Sequence, residues 1–299
     1  MNSEAKGSPG SSPRGAHRTP VLTLDLGNSS ASVAVVGPTG ATALARTAAG
    51  QLDGPALGAC LDRAAACGER PALAAISAVG EPAEERRVRA LLEGLGLTVP
   101  GEPDPGLDLR IDHPETCGVD RLLAARAAAE LVRGRAAAGA PVQGLIVVDA
   151  GTAVTVDAVA LDGERPAFLG GAIAPGPGTL ARSLGEAGAR LHEVSLEGGV
   201  EALGRSTERA LRAGVVVGFR GAVRALCESI AREAFGERAP SGDSASPSAG
   251  APRGERPILG VLTGGASALA RGAVTEALGA PPLEEPLLVH LGLAAAVRR

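Results

Sequence analysis

The sequence predicts a duplicated α/β fold with a cleft between its two halves. An apolar run that ends in an Asp-x-Gly turn occurs once in each half, at residues 21–27 and 144–151. In both places two further strand-like segments follow, and then helical stretches that alternate with single strands. A pattern that restarts in this way is typical of an internal duplication. The length of 299 residues accommodates two domains of ordinary size.

In the first half, short apolar segments separated by tight breaks predict a three-stranded meander, followed by alternating helices and strands. The predicted elements are strands at 21–27, 31–37, 41–47 and 73–79, and helices at 53–67, 82–95 and 119–138. The last of these helices is rich in Ala and Arg and has apolar residues at helical spacing.

The second half repeats the scheme. The predicted elements are strands at 144–151, 153–161, 166–174, 257–265 and 286–292, and helices at 177–187, at 206–235, after residue 265 and at the end of the chain. The prediction places an N-terminal domain at 20–140 and a C-terminal domain at 141–299.

Two segments of low complexity are predicted to be disordered. Residues 1–19 form a polar tail, and residues 236–256 form an insertion rich in Pro, Ser and Gly. The Ser and Arg content of the tail leaves a transit peptide as the alternative.

The composition excludes several classes of function. The net charge is −4 and the chain has no Trp, no Tyr and three Phe, which argues against nucleic-acid binding. No apolar stretch is long enough to span a membrane, and the first residues lack the apolar region of a secretory signal. The four cysteines are Cys60, Cys67, Cys117 and Cys227. They are too scattered for a zinc site or a disulfide framework, so we expect a cytoplasmic protein.

The two Asp-x-Gly turns, Asp25-Leu26-Gly27-Asn28 and Asp149-Ala150-Gly151-Thr152, carry the first chemical signal. Glycine lets the chain turn sharply and brings backbone N–H groups close to a phosphate. The carboxylate repels a phosphate, so it needs a cation between them. One such motif is more often a plain structural turn. Two at equivalent places predict phosphate loops on either side of a cleft.

Two other glycine-rich segments are candidates for the same cleft. Thr263-Gly264-Gly265 follows a strand and precedes a helix, where small residues would let an adenosine lie on the backbone. A plain tight turn is the alternative reading of this segment. The segment 170–176 is a candidate for closing the cleft.

Asp120, in Gly118-Val119-Asp120-Arg121, is the most informative acidic residue. It lies at a predicted helix start, where the helix dipole favours a carboxylate. It is either a helix-terminal residue paired with an arginine or a base that accepts a proton from a substrate alcohol during phosphoryl transfer. In the second case Arg121 would bind a carboxylate or phosphate of the substrate. The histidines show no ligand spacing, and His113 reads as a loop residue.

Taken together, these segments resemble the type III pantothenate kinases of the acetate kinase, sugar kinase and actin superfamily. The resemblance covers about residues 21–235 and 257–296. It rests on six blocks in the family's order: Asp25–Ser29, Pro114 with Gly118–Arg121, Asp149–Ala153, Gly170–Gly176, Gly204–Thr207 and Thr263–Gly265. The resemblance implies two ribonuclease H-like domains, as in the actin-like ATPases, with a nucleotide cleft between them.

The resemblance also implies a reaction, the phosphorylation of pantothenate by ATP to 4′-phosphopantothenate, which is the first step toward coenzyme A. It implies a homodimer that uses magnesium and a monovalent cation, potassium or ammonium, with the cation at Asp149. The implied ATP site comprises Asp25, Leu26, Gly27, Asn28, Ser29, Ser30, Ala31, Ser32 and Thr152. The implied pantothenate site comprises Gly118, Val119, Asp120, Arg121 and Thr207, with Asp120 as the proton acceptor.

One departure from the family pattern bears on the substrate. The family usually has a tyrosine seven residues before the first glycine of Gly-x-Asp-Arg, and this chain has Ile111 there. A lost hydroxyl contact would weaken pantothenate binding by about 0.5–1.5 kcal/mol. Two alternatives therefore stay open: a non-catalytic nucleotide-binding regulator on the same fold, and a kinase of another small hydroxy compound.

Overall fold

Two β-sheets, one from each half of the chain, form the frame of the structure. The computed structural model describes residues 19–136, 142–187, 194–196, 198–236 and 257–298. Apart from Thr19 and Gly236, the predicted disordered tail and insertion lie outside the described residues. The predicted boundary between domains, at residues 140 and 141, also falls at or beside undescribed residues and stays a prediction.

The first sheet is the predicted meander with one further strand. Its strands are β1 (Val21–Leu26), β2 (Ser30–Gly37), β3 (Gly40–Ala48) and β4 (Leu73–Ala78), in the order β3-β2-β1-β4. Strands β1, β2 and β3 are antiparallel, and β4 runs parallel to β1. The crossover from β3 to β4 contains helix α1 (Gly54–Ala66), which begins where the Asp53 carboxylate accepts a hydrogen bond from the Ala56 N–H at 2.8 Å. Helix α2 (Pro82–Gly94) follows β4.

The second sheet repeats this arrangement and extends it at both edges. Its strands are β5 (Asp108–Leu109), β6 (Gly144–Ala150), β7 (Ala153–Ala160), β8 (Ala167–Pro175), β9 (Ile258–Thr263) and β10 (Leu283–Glu284). The order is β10-β9-β6-β7-β8-β5, so β8-β7-β6-β9 corresponds to β3-β2-β1-β4 with the same strand directions. The predicted α/β class with two ribonuclease H-like sheets is confirmed.

Five more helices complete the layers: α3 (Val119–Ala136), α4 (Pro177–Ala187), α5 (Thr207–Phe235), α6 (Ser267–Leu278) and α7 (Leu288–Val297). Helices α3 and α7 fill the space between the two sheets, where Leu123 and Leu293 share one core with Val21 of β1 and Val147 of β6. Helices α1 and α2 cover the outer face of the first sheet, α5 and α6 cover that of the second, and α4 packs on α5. The inner faces of the two sheets therefore point toward each other.

One predicted element is wrong. The apolar segment 286–292 is not a strand, because most of it belongs to helix α7. A run of seven residues with few polar positions cannot distinguish a buried strand from a buried helix by periodicity. Helix α7 is apolar on nearly all sides because it lies between two sheets and against α3, where a Cβ on Gly292 would come within 2.0 Å of the Leu123 carbonyl oxygen. Within the described ranges, we find no helix with the length and apolarity needed to cross a bilayer.

Candidate active site

Two carboxylates, one from each sheet, occupy equivalent positions that face the space between the sheets. Asp25 on β1 is paired in register with Ser32 on β2 and Ser77 on β4. Asp149 on β6 is paired in register with Thr155 on β7 and Thr263 on β9. Side chains opposite one another in a sheet project from the same face. Each carboxylate is therefore flanked by two hydroxyl side chains, and the duplication extends to the residues of the site.

A third carboxylate, that of Asp120, lies in the first turn of α3. Its Oδ1 accepts a hydrogen bond from the Arg121 N–H at 2.8 Å. Gly118 leaves room for this carboxylate, because a Cβ at that position would come within 2.5 Å of the same oxygen. Asp120 lines a cleft of about 600 Å³ together with Asp25 and Asp149. The helix that separates the sheets thus directs its N-terminal end into the cleft.

The cleft is short of positive charge. Burial raises the pKa of Asp25 to about 6, with a further contribution from the charge of Asp120, while Ser77 and Arg46 act in the opposite direction. Burial also raises the pKa of Asp149 to about 7, followed by the charges of Asp25, Asp120 and Asp157, and Arg46 again opposes the change. A bound cation would relieve this mutual repulsion, so the donor set fits a metal ion.

The first Asp-x-Gly turn is open to the cleft. The Gly27 N–H donates to the Ser30 carbonyl at 3.0 Å, which closes the turn between β1 and β2. Asn28 and Ser29 are exposed at its tip and line the cleft. Arg46 of β3 reaches over the turn, and its Nη2 donates to the Ser30 hydroxyl at 3.2 Å. Phosphate oxygens at this turn would meet polar groups and one guanidinium.

The glycine-rich end of β8 packs against the second Asp-x-Gly turn. The Thr152 carbonyl accepts hydrogen bonds from the Gly176 N–H at 2.9 Å and from the Thr179 hydroxyl at 2.6 Å. A Cβ on Gly176 would lie 2.0 Å from the Gly151 carbonyl oxygen, so only glycine fits there. The segment 170–176 was predicted as a candidate for closing the cleft. Its residues up to Pro175 instead belong to the second half of β8, and the segment packs against this turn.

The third loop lies directly against Asp149. Gly264 has φ +90°, and a Cβ on it would come within 2.4 Å of the Asp149 Oδ1. The Ala266 N–H donates to the Ala150 carbonyl at 2.8 Å and ties the loop to β6. A second cavity of about 550 Å³ adjoins this loop and shares Arg46 and Thr152 with the first. The two cavities together offer room for phosphates and a base.

Arg121 is held by the second half of the chain. Its Nε lies 3.2 Å from both carboxylate oxygens of Asp157, its Nη2 also bonds Asp157, and its guanidinium lies 5.4 Å from the ring centroid of Phe168. The Arg121 side chain is 15% exposed. Burial raises the pKa of Asp157, and the Arg121 guanidinium acts in the opposite direction. Nη1 donates no hydrogen bond to any described residue.

The structure brings most of the predicted site residues together. Those that line the cleft are Asp25, Gly27, Asn28, Ser29, Ser30, Ser32, Asp120, Asp149 and Thr152. Leu26 and Ala31 are buried in the core of the first sheet and contribute no side chain to the cleft. Gly118, Val119 and Arg121 flank Asp120 without lining the cavity, and Thr207, exposed at the first turn of α5, does not line it either.

The sequence analysis missed three residues. Arg46 was missed because it lies within a predicted strand and outside any motif. It pairs in register with Ser32, which in turn pairs with Asp25. Asp157 is 2% exposed, and its signal was a charge in the middle of an apolar strand. His290, also buried, was missed because its helix was predicted to be a strand.

Comparison with known proteins identifies the family. A family model described as type III pantothenate kinase matches residues 21–229. The type III pantothenate kinase of Thermomicrobium roseum is 41% identical over 145 residues, 48% of this chain and 51% of that protein. That of Halorhodospira halophila is 39% identical over 222 residues, 70% of this chain and 80% of that protein.

The chain spans about half the length of the Thermomicrobium relative. The structure is also similar to the crystal structure of ethanolamine utilization protein EutJ from Carboxydothermus hydrogenoformans. That similarity has a TM-score of 0.48 and 14% identity over 93% of this chain and 89% of that chain. The family match covers more than half of the chain and contains both Asp-x-Gly turns and Asp120, and on this basis the chain belongs to the type III pantothenate kinase family.

Proposed function

We propose that this chain transfers the γ-phosphate of ATP to the hydroxyl of pantothenate, giving 4′-phosphopantothenate and ADP, the first step of coenzyme A biosynthesis. The observation that carries the proposal is the position of Asp120, at the N-terminal end of α3 and in one cleft with Asp25 and Asp149. Membership of the type III pantothenate kinase family supports the same reaction.

Asp120 is the proposed base. It accepts the hydroxyl proton of pantothenate as that oxygen attacks the γ-phosphorus, and ADP leaves on the opposite side. The start of α3 carries a partial positive charge, which attracts the acidic side chain at this position. Phosphoryl transfer depends mainly on positioning and charge neutralisation, so one base suffices if the phosphates are held firmly.

The proposed ATP site is the turn from Asp25 to Ser32, with Thr152 on the opposite side of the cleft. Its polar side chains and the backbone at Gly27 would receive the phosphates, and Arg46 would neutralise part of their charge. The second cavity, beside Gly265 and Ala266, is the proposed site of the adenosine.

The proposed cations are magnesium and, at Asp149, potassium or ammonium. Among the residues that the structure describes, no group of three or more His, Cys, Asp or Glu is arranged to hold a metal by itself. Magnesium usually binds through one or two carboxylates together with substrate phosphates and water, and Asp25 and Asp149 suit that pattern. Bound there, the cations would offset the charges of the phosphates and carboxylates.

The proposed pantothenate site is Gly118–Arg121 together with Thr207. Asp157 and Phe168 hold the Arg121 side chain, so its Nη1 could bind the pantothenate carboxylate without a large loss of side-chain entropy. Ile111 approaches β8, with its Cγ2 3.5 Å from a Cβ built on Gly170. It offers only apolar contact where the family usually has a tyrosine hydroxyl.

We further propose a cytoplasmic homodimer. Large apolar side chains of the second half are exposed, including Leu203 at 72% and Ile173 at 63%. Exposed apolar side chains of this kind are typical of a surface that binds another protein. Sedimentation of the purified chain at several concentrations would test this, and a monomer at all of them would contradict it.

The direct test is ADP release on addition of pantothenate to purified protein with ATP and magnesium, in the presence and absence of potassium. Turnover that requires pantothenate is the expected result. Asp120→Asn should lack it, whereas Asp162→Asn, at an exposed aspartate after β7, should retain it. A folded wild-type protein that binds ATP but phosphorylates no pantothenate would exclude the proposed reaction and favour a regulator.

A further inference from the structure

A buried histidine connects helix α7 to the ATP side of the cleft. His290 is 4% exposed and lines the cleft. Its Nδ1 lies 3.0 Å from the Thr23 hydroxyl, and its Nε2 lies 2.9 Å from the Ser32 hydroxyl. Thr23 and Ser32 belong to adjacent strands of the first sheet. The imidazole therefore forms a bridge between two hydroxyl groups.

The hydrogen-bond pattern selects one tautomer of this ring. The Thr23 hydroxyl lies 3.1 Å from the Ala34 carbonyl oxygen and donates its single proton there. Toward His290, Thr23 can then only accept, so Nδ1 must carry the proton. The ring is 4% exposed, and among the described residues its two nitrogens contact only hydroxyl groups and no carboxylate, so the neutral form suits the site and leaves Nε2 with a free lone pair. The Ser32 hydroxyl must then donate to Nε2.

These hydrogen bonds determine whether the Ser32 hydroxyl can donate or only accept in the cleft. A serine hydroxyl has one proton, and His290 takes it, so only the oxygen lone pairs of Ser32 face the cleft. Ser32 is paired in register with Asp25, whose carboxylate oxygens are also acceptors when ionised. A phosphate oxygen has no proton to offer to these groups. A magnesium ion, or a water molecule bound to it, satisfies both.

We propose that His290 is a positioning residue that turns Ser32 into a hydrogen-bond acceptor, so that Ser32 binds the magnesium of Mg·ATP, directly or through a water, and makes no bond to a phosphate oxygen. This inference rests on the proposed ATP site and assigns one of its serines to the metal. It concerns nucleotide binding alone, so it can be tested without phosphoryl transfer.

The tautomer is tested on the whole protein by long-range ¹H–¹⁵N NMR of the histidine rings, with His290→Gln used to assign the signal. A neutral ring protonated on Nδ1 is expected. A ring protonated on Nε2 would make Ser32 a donor toward the cleft and would overturn the inference, whatever the activity of the protein.

The role of Ser32 is tested by calorimetry of ATP binding with magnesium and with a chelator. His290→Leu and Ser32→Ala should each weaken binding of Mg·ATP about tenfold and change binding of metal-free ATP less than about twofold. The double variant should bind Mg·ATP no more weakly than either single variant, because both remove the same interaction. His290→Gln, whose amide can donate to Thr23 and accept from Ser32, should bind Mg·ATP nearly as well as the wild type.

Equal losses with and without magnesium would show that His290 only supports the strand and would overturn the inference. Additive losses in the double variant would overturn it as well. If the wild type binds Mg·ATP as expected but phosphorylates no pantothenate, the proposed reaction fails and this inference stands. If the wild type binds no ATP, both proposals fail.

Discussion

Replacement of Asp149 by asparagine should stabilise the protein at alkaline pH in the absence of cations. The pKa of Asp149 is about 7 in the folded chain, against an ordinary value of 3.8, mainly because of burial and then because of the neighbouring carboxylates. A pKa that is raised on folding gives a stability that is complete below the unfolded value and is lost as the pH rises through the folded value. The loss therefore falls between pH 3.8 and about 7.

The magnitude follows from this difference in pKa. About three pH units at 1.36 kcal/mol each correspond to a loss of up to about 4 kcal/mol. Asp149 is only partly buried, so water and local relaxation reduce the free-energy cost of ionising its carboxylate. We therefore expect Asp149→Asn to raise the free energy of unfolding by about 2–4 kcal/mol near pH 8 and by less than half as much near pH 5.

Urea unfolding in buffer free of metal and potassium ions measures this effect, with Asp162→Asn as the control at an exposed site. If potassium binds at Asp149 as proposed, it should stabilise the wild type, since a ligand of the folded state alone favours folding, and it should have little effect on Asp149→Asn. If Asp149→Asn destabilises the chain equally at both pH values, ionisation of the buried carboxylate costs no stability and the reasoning is refuted. A potassium response that survives the substitution would remove Asp149 from the cation site.

Three further substitutions test the rest of the site. Asp120→Asn should lower turnover at least ~100-fold with nearly unchanged ATP affinity, measured by ADP release and calorimetry, and near-native turnover would remove it from the mechanism. Arg46→Gln should raise the KM for ATP about tenfold, since it removes a charge-assisted contact with the phosphates, and an unchanged KM would contradict that role. Gly264→Ala should lower the free energy of unfolding in urea by about 1–3 kcal/mol, because Gly264 has a positive φ and lies against Asp149. Gly272→Ala, at an exposed position of α6, is the control and should not destabilise the chain. Equal losses in the two variants would contradict this role of Gly264.

Much of the fold could be predicted because the elements alternate with clear breaks. The strands of both meanders and helices α1 to α5 were predicted nearly at their observed bounds, and α6 was predicted without an end, since apolar periodicity and flanking glycines and prolines agree. Helix α7 was not, because a helix enclosed between two sheets loses the polar side that reveals its period.

The site was predicted in part for a similar reason. Asp25, Asp120 and Asp149 belong to short local motifs, which a sequence displays directly. Arg46 acts through neighbours on an adjacent strand, which depends on strand register, and Asp157 acts on Arg121 of helix α3, which depends on how the helix packs on the sheet. His290 acts on residues more than 250 positions away along the chain, so only the packing of α7 against the first sheet reveals it.

The strand register also gives a physical reason for the unequal roles proposed for the two equivalent carboxylates. In the first sheet, the row that contains Asp25 continues through Ser32 to Arg46. In the second, the corresponding row continues from Asp149 through Thr155 to Ile173, which brings no charge. Asp25 therefore has a guanidinium built into its own sheet, and Asp149 has none, which agrees with the higher pKa of Asp149. This difference supports the proposals that the first turn holds phosphate and that a cation from solution, potassium, binds at Asp149.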